Sequence, residues 1–256
     1  MMELAKQKLF LISDVHGCYR ELQELLKFVP PDVKILFLGD VIDRGEAPLK
    51  TLHLVMSLVK SGKAFLLLGN HEQALLDMVD GKLAVDAYWR GGGRKTLLEA
   101  SSEEKLTFES YPKLLKNTFV QELEFLRGLP IYMTIDNLLF VHAGVPSNIT
   151  NLKKLDKDDA IWIREPFYDR PHKVPYTIFF GHTPVYDIHG GIHQEIWYDT
   201  DKTKFGLDGG CCFNKQLNGI LLDPFEQTLQ IFKAWGSYQY KAPSLIKSTY
   251  VTTITY

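Results

Sequence analysis

Short runs of large apolar residues alternate along the chain with amphipathic stretches. Leu9–Ile12, Ile35–Leu38 and Phe65–Leu68 are unbroken apolar runs, the signature of strands covered on both faces. They predict strands at 8–12, 34–38 and 64–68. After the first, Leu22, Leu25, Leu26 and Val29 recur at helical spacing among Glu, Gln and Lys, and Pro30-Pro31 stops the helix. A second helix is expected from about Ala47 to Lys60, with Leu49, Leu52, Val55, Met56 and Val59 on one side and Ser61-Gly62 at its end. A third opens near His71. This β-α-β-α-β alternation predicts a parallel sheet flanked by helices. In such sheets ligands sit beyond the carboxyl ends of the strands.

The strand pattern lapses over 80–128, where helical and irregular segments predict a mostly helical insert. It returns as a hairpin, 129–135 and 138–141, turning at Asp136-Asn137. Residues 151–165 are charged and helical towards their end. Further strands are expected at 176–180, about 192–198, 217–222 and 228–233. The tail, 248–256, alternates like an edge strand. With no internal repeat or linker, residues 1–256 are expected to form a single domain. Its two strand groups predict an α/β architecture of two packed sheets with helices outside.

Composition narrows the class. The chain has 256 residues, 45% hydrophobic and 23% charged, with a net charge of −2, ordinary values for a globular protein. No basic excess points to nucleic acid or an anionic membrane surface. Only Cys18, Cys211 and Cys212 are present, without a CxxC pair. That argues against a disulfide framework or a cysteine zinc site, and for a reducing, cytoplasmic setting; Cys211 and Cys212 read as buried and inert. No apolar run approaches a signal-peptide core or a membrane span.

The chemistry lies at the strand ends. Five apolar runs finish in Asp14, Asp40, Asn70, His142 and His182, and His16 follows Asp14 by two positions. Carboxylates, imidazoles and an amide without thiolate suit Mn²⁺, Fe or Zn²⁺. Six donors exceed what one tetrahedral zinc needs and match two divalent ions sharing a carboxylate, with Asp40 in the middle. Such a pair suits in-line attack of a bridging hydroxide on phosphorus. His71, next to Asn70, is placed to protonate a leaving oxygen, with Asp43 holding its ring. Arg44 is placed to grip phosphate oxygens.

Asp14-Val15-His16-Gly17, Gly39 to Gly45 (GDVIDRG), Gly69-Asn70-His71-Glu72, His142-Ala143-Gly144 and Gly181-His182-Thr183 resemble, in order, the motif set of the phosphoprotein phosphatase family of calcineurin-like metallophosphoesterases. The resemblance implies Asp14, His16 and Asp40 on one metal, and Asp40, Asn70, His142 and His182 on the other. It implies His71 with Asp43 as the general acid, and Arg44 with a second arginine, Arg164 in WIRE, as the phosphate clamp. It also implies a β-sandwich flanked by helices, in αββα layers. Ser13, where many eukaryotic members carry glycine, points to the bacterial-type branch, and Glu72 leans towards its protein phosphatases.

The function expected first is therefore a serine/threonine protein phosphatase, with phosphotyrosine as a further substrate, acting on phosphorylated proteins or small phosphate esters. The alternative on the same centre is a symmetrical dinucleoside tetraphosphate hydrolase. An inactive phosphate-binding protein is a third reading, opposed by the intact donor set. Gly91–Thr96 reads either as an anion cradle at a helix start or as a plain loop. His53, His172, His189 and His193 read as ordinary residues, and Asp208 as structural.

Overall fold

The computed structural model describes residues 2–102, 106–235 and 253–256. In chain order, β1 (Met2–Glu3), β2 (Leu9–Ile12), α1 (Tyr19–Leu26), β3 (Lys34–Phe37), α2 (Pro48–Lys60), β4 (Ala64–Leu66) and α3 (Asn70–Val79) form the first half. The insert follows as α4 (Val85–Tyr88), a wide π-helical turn at Trp89–Gly93, α5 (Arg94–Ala100), α6 (Ser110–Thr118) and α7 (Val120–Arg127). Then come β5 (Tyr132–Ile135), β6 (Leu138–Val141), α8 (Lys157–Trp162), β7 (Thr177–Phe180), α9 (Val185–Ile188), β8 (Trp197–Tyr198), β9 (Lys204–Gly206), β10 (Gln216–Asp223), β11 (Thr228–Trp235) and β12 (Thr253–Thr255).

These strands make two mixed six-stranded sheets, ordered β12-β11-β10-β2-β3-β4 and β1-β5-β6-β7-β9-β8. The period-2 pleat divides the buried runs between three apolar layers. Leu9, Leu11, Leu36 and Leu38 of the first sheet meet Met133, Ile135, Phe140, Phe179 and Phe205 of the second, filling the space between sheets. Phe10, Ile12, Ile35 and Phe37 point the other way, onto Leu22, Leu25, Leu52 and Val55 of α1 and α2. Leu139, Val141, Ile178 and Phe180 pack outward with Ile161 of α8. The apolar positions of these strands are therefore covered on both sheet faces, which is why they read as continuous apolar runs rather than alternating ones. The expected helix–sheet–sheet–helix layering is present.

The topology gathers the functional residues. β2, β3 and β4 are mutually parallel, as are β6 and β7. Their carboxyl ends share one edge of the sandwich, and Asp14, Asp40, Asn70, His142 and His182 follow there.

One expected strand is cut short, one strand was not expected, and the edge strand expected of the tail is present in part. Only Trp197–Tyr198 of the stretch 192–198 is strand; Ile192 is 73% exposed and no ladder holds its segment. The strand beside β7 is instead β9, too short and too polar at Lys204 to be read from the sequence. Of the tail, Thr253–Thr255 pairs with β11 as an edge strand, and residues 248–252 lie outside the described residues.

Candidate metal centre

Each strand end turns sharply as it leaves the sheet. Of eleven non-glycine residues with positive φ among the described residues, six belong to the predicted site: Asp14, His16, Asp40, Asp43, Arg44 and His182. Left-handed backbone costs a non-glycine residue about 1–2 kcal/mol, and such strain concentrates where geometry serves a site. The loops also approach closely. Gly39 has φ 105°, and a Cβ there would lie 2.8 Å from both the Gly69 backbone and His142 Nδ1.

The predicted ligands converge. Asp14, His16, Asp40, Asn70, His142 and His182 are all at most 5% exposed. Asp40 is central: its Oδ2 lies 3.4 Å from His16 Nε2 and 3.5 Å from His142 Nε2. Asn70 Oδ1 lies 3.0 Å from His142 Nε2 and 2.9 Å from His182 Nδ1. Asp14 Oδ2 accepts the backbone N–H of His182 at 3.0 Å and a bond from the Ser13 hydroxyl. Ligand-type atoms of His16, Asp40 and His71, and of Asp40, His142 and His182, form two tight groups sharing Asp40.

The imidazole tautomers show what this cluster lacks. His16 Nδ1 is 2.9 Å from the Ile42 carbonyl, His142 Nδ1 2.8 Å from that of Leu38, and His182 Nε2 3.1 Å from that of Trp162. Each ring donates outward to a carbonyl, so each inner nitrogen presents a lone pair. Those of His142 and His182 face the oxygens of Asp40 and Asn70, which are acceptors too; that of His16 lies 3.4 Å from Asp40 Oδ2 and is also met by the Arg44 guanidinium. Acceptors converging on acceptors in a buried space call for cations between them. Histidine fixed by an outer carbonyl is the usual support of a metal ligand. The donor set therefore fits two divalent ions.

Electrostatics agrees. Burial, aided by neighbouring cationic groups, holds His16, His142 and His182 in the neutral form, with His182 pushed down to about 2. Burial, then the charges of Glu72 and Asp14, pushes Asp40 well above the usual carboxylate range. Asp208, expected to be structural, is 3% exposed and pushed up by burial and by Asp14.

His71 and Asp43 meet as expected, Nδ1 to Oδ2 at 2.7 Å. The His71 ring stands edge-on to His16, centroids 4.7 Å apart. Arg44 Nη1 lies 3.0 Å from His16 Nε2, so its guanidinium reaches the cluster. Arg164 is exposed, and its charge acts on the cluster by helping to lower the pKa values of His142 and His182.

Four supporting residues escaped the sequence reading. Glu72 is fully buried, and its carboxylate accepts the backbone N–H groups of Asp40 (2.8 Å), Val41 (2.9 Å), Ile42 (3.3 Å) and Gly69 (3.1 Å). It ties two metal-bearing loops together. Its place in the NHE motif was the only available signal, and was read as a mark of branch. Tyr88 Oη and Thr96 Oγ1 donate to Asp43 Oδ1 at 2.6 and 2.5 Å, so the insert grips the partner of His71. Within the Gly91–Thr96 segment, Thr96 points inward to Asp43 and the Gly92 carbonyl accepts the N–H of Arg44 at 3.0 Å. Lys204, 2% exposed, donates to the carbonyls of Phe167, Tyr168 and Arg170 at 3.1, 2.9 and 2.9 Å, anchoring the loop that carries Arg164. Outside the cluster, Cys18, Glu21 and Cys211 also come together, although Cys18 and Cys211 are far apart in sequence.

The family model for calcineurin-like phosphoesterases matches residues 8–212. Among curated proteins, the chain is 27% identical over 238 residues to a bis(5'-nucleosyl)-tetraphosphatase PrpE, asymmetrical, of Oceanobacillus iheyensis, covering 82% of this chain and 86% of that one. It is 24% identical over 309 residues to a symmetrical bis(5'-nucleosyl)-tetraphosphatase of Methylococcus capsulatus, covering 93% and 99%. Among solved structures, one described as a suspected diadenosine tetraphosphatase aligns with TM-score 0.63 at 19% identity, covering 94% of this chain and 98% of that one. A protein serine/threonine phosphatase from Saccharomyces cerevisiae aligns with TM-score 0.57 at 19% identity, covering 88% and 76%. At those identities the two structures are alike in fold alone.

Proposed function

Because the chain belongs to the calcineurin-like phosphoesterase family, a family of metal-dependent hydrolases with a dinuclear centre, we propose that it hydrolyses dinucleoside tetraphosphates. The observation that carries this reading is the naming of its relatives: both sequence relatives above are bis(5'-nucleosyl)-tetraphosphatases, matched over more than four-fifths of this chain. The protein phosphatase function expected first from the motifs has no comparable support, since its structural neighbour shares only the fold. The dinucleotide alternative now leads. The relatives split between symmetrical and asymmetrical cleavage, so the reading extends to the substrate class and leaves the product pattern to measurement.

The proposed roles draw on the clustering of these side chains. Asp14, His16 and Asp40 would hold one divalent ion, and Asp40, Asn70, His142 and His182 the other, with Mn²⁺ the ion their chemistry favours. When bound, the ions would polarise the phosphoryl group and activate water. Arg44 and Arg164 hold the phosphoryl oxygens. Asp43, fixed by Tyr88 and Thr96, keeps the proton on His71 Nδ1, leaving Nε2 to deliver a proton to the departing oxygen.

The test is a side-by-side kcat/KM panel with Mn²⁺ on diadenosine tetraphosphate and on phosphoserine, phosphothreonine and phosphotyrosine peptides. Preference for the dinucleotide is expected, and separating its nucleotide products assigns the cleaved bond. Preference for a phosphopeptide would overturn the reading.

A further inference from the structure

Two aromatic rings stand in solvent at the edge of the cluster. Trp162 and Phe213 are each 52% exposed. Each touches a different end of the donor row. Trp162 closes α8, and its ring meets His182 edge-on, centroids 5.9 Å apart and 87° between planes. Its carbonyl also receives His182 Nε2, so the ring's backbone is fixed to the cluster. Phe213 ends the short 3₁₀ turn Cys211–Phe213. The Arg44 guanidinium lies over its ring, 5.3 Å from the centroid, and Arg44 in turn contacts His16. His16 and His182 belong to the two donor groups joined only through Asp40.

Each ring also comes with an arginine. Arg44 stacks on Phe213, and Arg164 lies two positions beyond Trp162. From Phe213 through Arg44 and the metal donors to Trp162, the contacts run aromatic, guanidinium, donors, aromatic. A dinucleoside polyphosphate carries the matching order: base, phosphates, base. We propose that Trp162 and Phe213 are stacking platforms for the two nucleobases of a dinucleoside polyphosphate, one on each side of the metal centre. This rests on the dinucleoside tetraphosphate reading and adds how the protein would tell that substrate from other phosphate compounds. Stacking on a ring face is tolerant of base identity, since every base offers a π-face, so discrimination among purines is expected to be slight. A phosphopeptide has no second flat group to fill the far platform.

The experiment compares wild type with Trp162→Ala, Trp162→Phe, Phe213→Ala and Phe213→Tyr on diadenosine tetraphosphate and on inorganic tripolyphosphate. The latter offers the same phosphoanhydride bond without bases. Each alanine variant should lower the ratio of kcat/KM for the dinucleotide to that for tripolyphosphate by about 5- to 150-fold, the range for losing one stacked base. The loss should appear mainly in KM, and the aromatic replacements should restore most of it. An unchanged ratio in both alanine variants would overturn the platforms while leaving the substrate reading intact. So would an equal loss on both substrates, which is the outcome if Phe213 serves only to seat Arg44. A fall in one variant alone would overturn the two-sided arrangement. Absence of dinucleotide turnover by wild type that cleaves tripolyphosphate or a phosphopeptide would overturn the underlying substrate reading.

Discussion

Replacing Glu72 by glutamine changes one atom in the interior and should disturb the whole metal centre. The carboxylate accepts four backbone N–H groups, two on each oxygen: Asp40 and Gly69 on Oε2, Val41 and Ile42 on Oε1. Glutamine keeps one acceptor oxygen. Whichever way the amide turns, its NH₂ faces two backbone donors that have no other place to go. A hydrogen bond to a charged group contributes about 1.5–3 kcal/mol, so two lost bonds amount to about 3–6 kcal/mol. Part is offset, because burial already works against the Glu72 charge and raises its pKa, and a neutral amide is easier to bury. The lower end, about 3 kcal/mol, is the expected loss. At about 2–4 °C per kcal/mol for a chain of this size, the melting temperature should fall by about 6–12 °C. Metal affinity should fall with it, since the loosened loop carries Asp40. Thermal unfolding followed by calorimetry, alongside metal content after dialysis, measures both. A Glu72→Gln protein melting within about 1 °C of wild type would refute the claim that this carboxylate holds the two loops.

His71→Asn should lower kcat on the order of 10²–10⁴-fold, the range for losing a general acid, with metal content unchanged; equal turnover on a poor leaving group would remove His71 from that role. Tyr88→Phe takes one of the two hydroxyl donors from Asp43 Oδ1 and should lower kcat about tenfold with little change in KM, a result checked by steady-state kinetics and contradicted by wild-type kcat. Arg127 makes two bonds to Asp80, 2.8 and 2.6 Å, tying α7 to the end of α3, and its hydrogen bonds hold the Asp80 pKa below the ordinary value. A depressed folded pKa stabilises above the unfolded carboxylate pKa and loses that contribution as pH falls through the folded one. Arg127→Ala should therefore cost up to about 1 kcal/mol near pH 7 and nothing in acid below both values. A loss independent of pH would mean packing, not charge, holds the contact.

The strand ends were legible because two simple signals coincide there. An apolar run fixes a buried strand; one carboxylate after it could serve a turn or a helix cap, but metal-ligand types after five such runs are more than turns require. Parallel pairing then brings distant segments together, so Asp14, Asp40, Asn70, His142 and His182 could be named from sequence. What supports them could not. Glu72 binds backbone N–H groups, and backbone partners leave no trace in residue identity. Tyr88 and Thr96 reach Asp43 from 45 and 53 positions away through a π-helical turn that no periodicity announces. The insert thus holds Asp43 in place, which the sequence, showing only a mostly helical insert, did not reveal. Lys204 carried no signal in the sequence; its neighbours in space are three carbonyls of a segment more than thirty positions earlier. β9 was missed for the same reason, since a three-residue strand with a buried lysine lacks the apolar pattern that identified the others.

The central claim is that Asp40 joins two divalent ions in one centre. Elemental analysis of Mn²⁺-equilibrated protein tests it most directly. Wild type should retain two ions per chain, and Asp40→Asn should retain no more than one while its fold, read by circular dichroism, stays intact. Two ions held at wild-type affinity by Asp40→Asn, or a single ion in wild type, would contradict it.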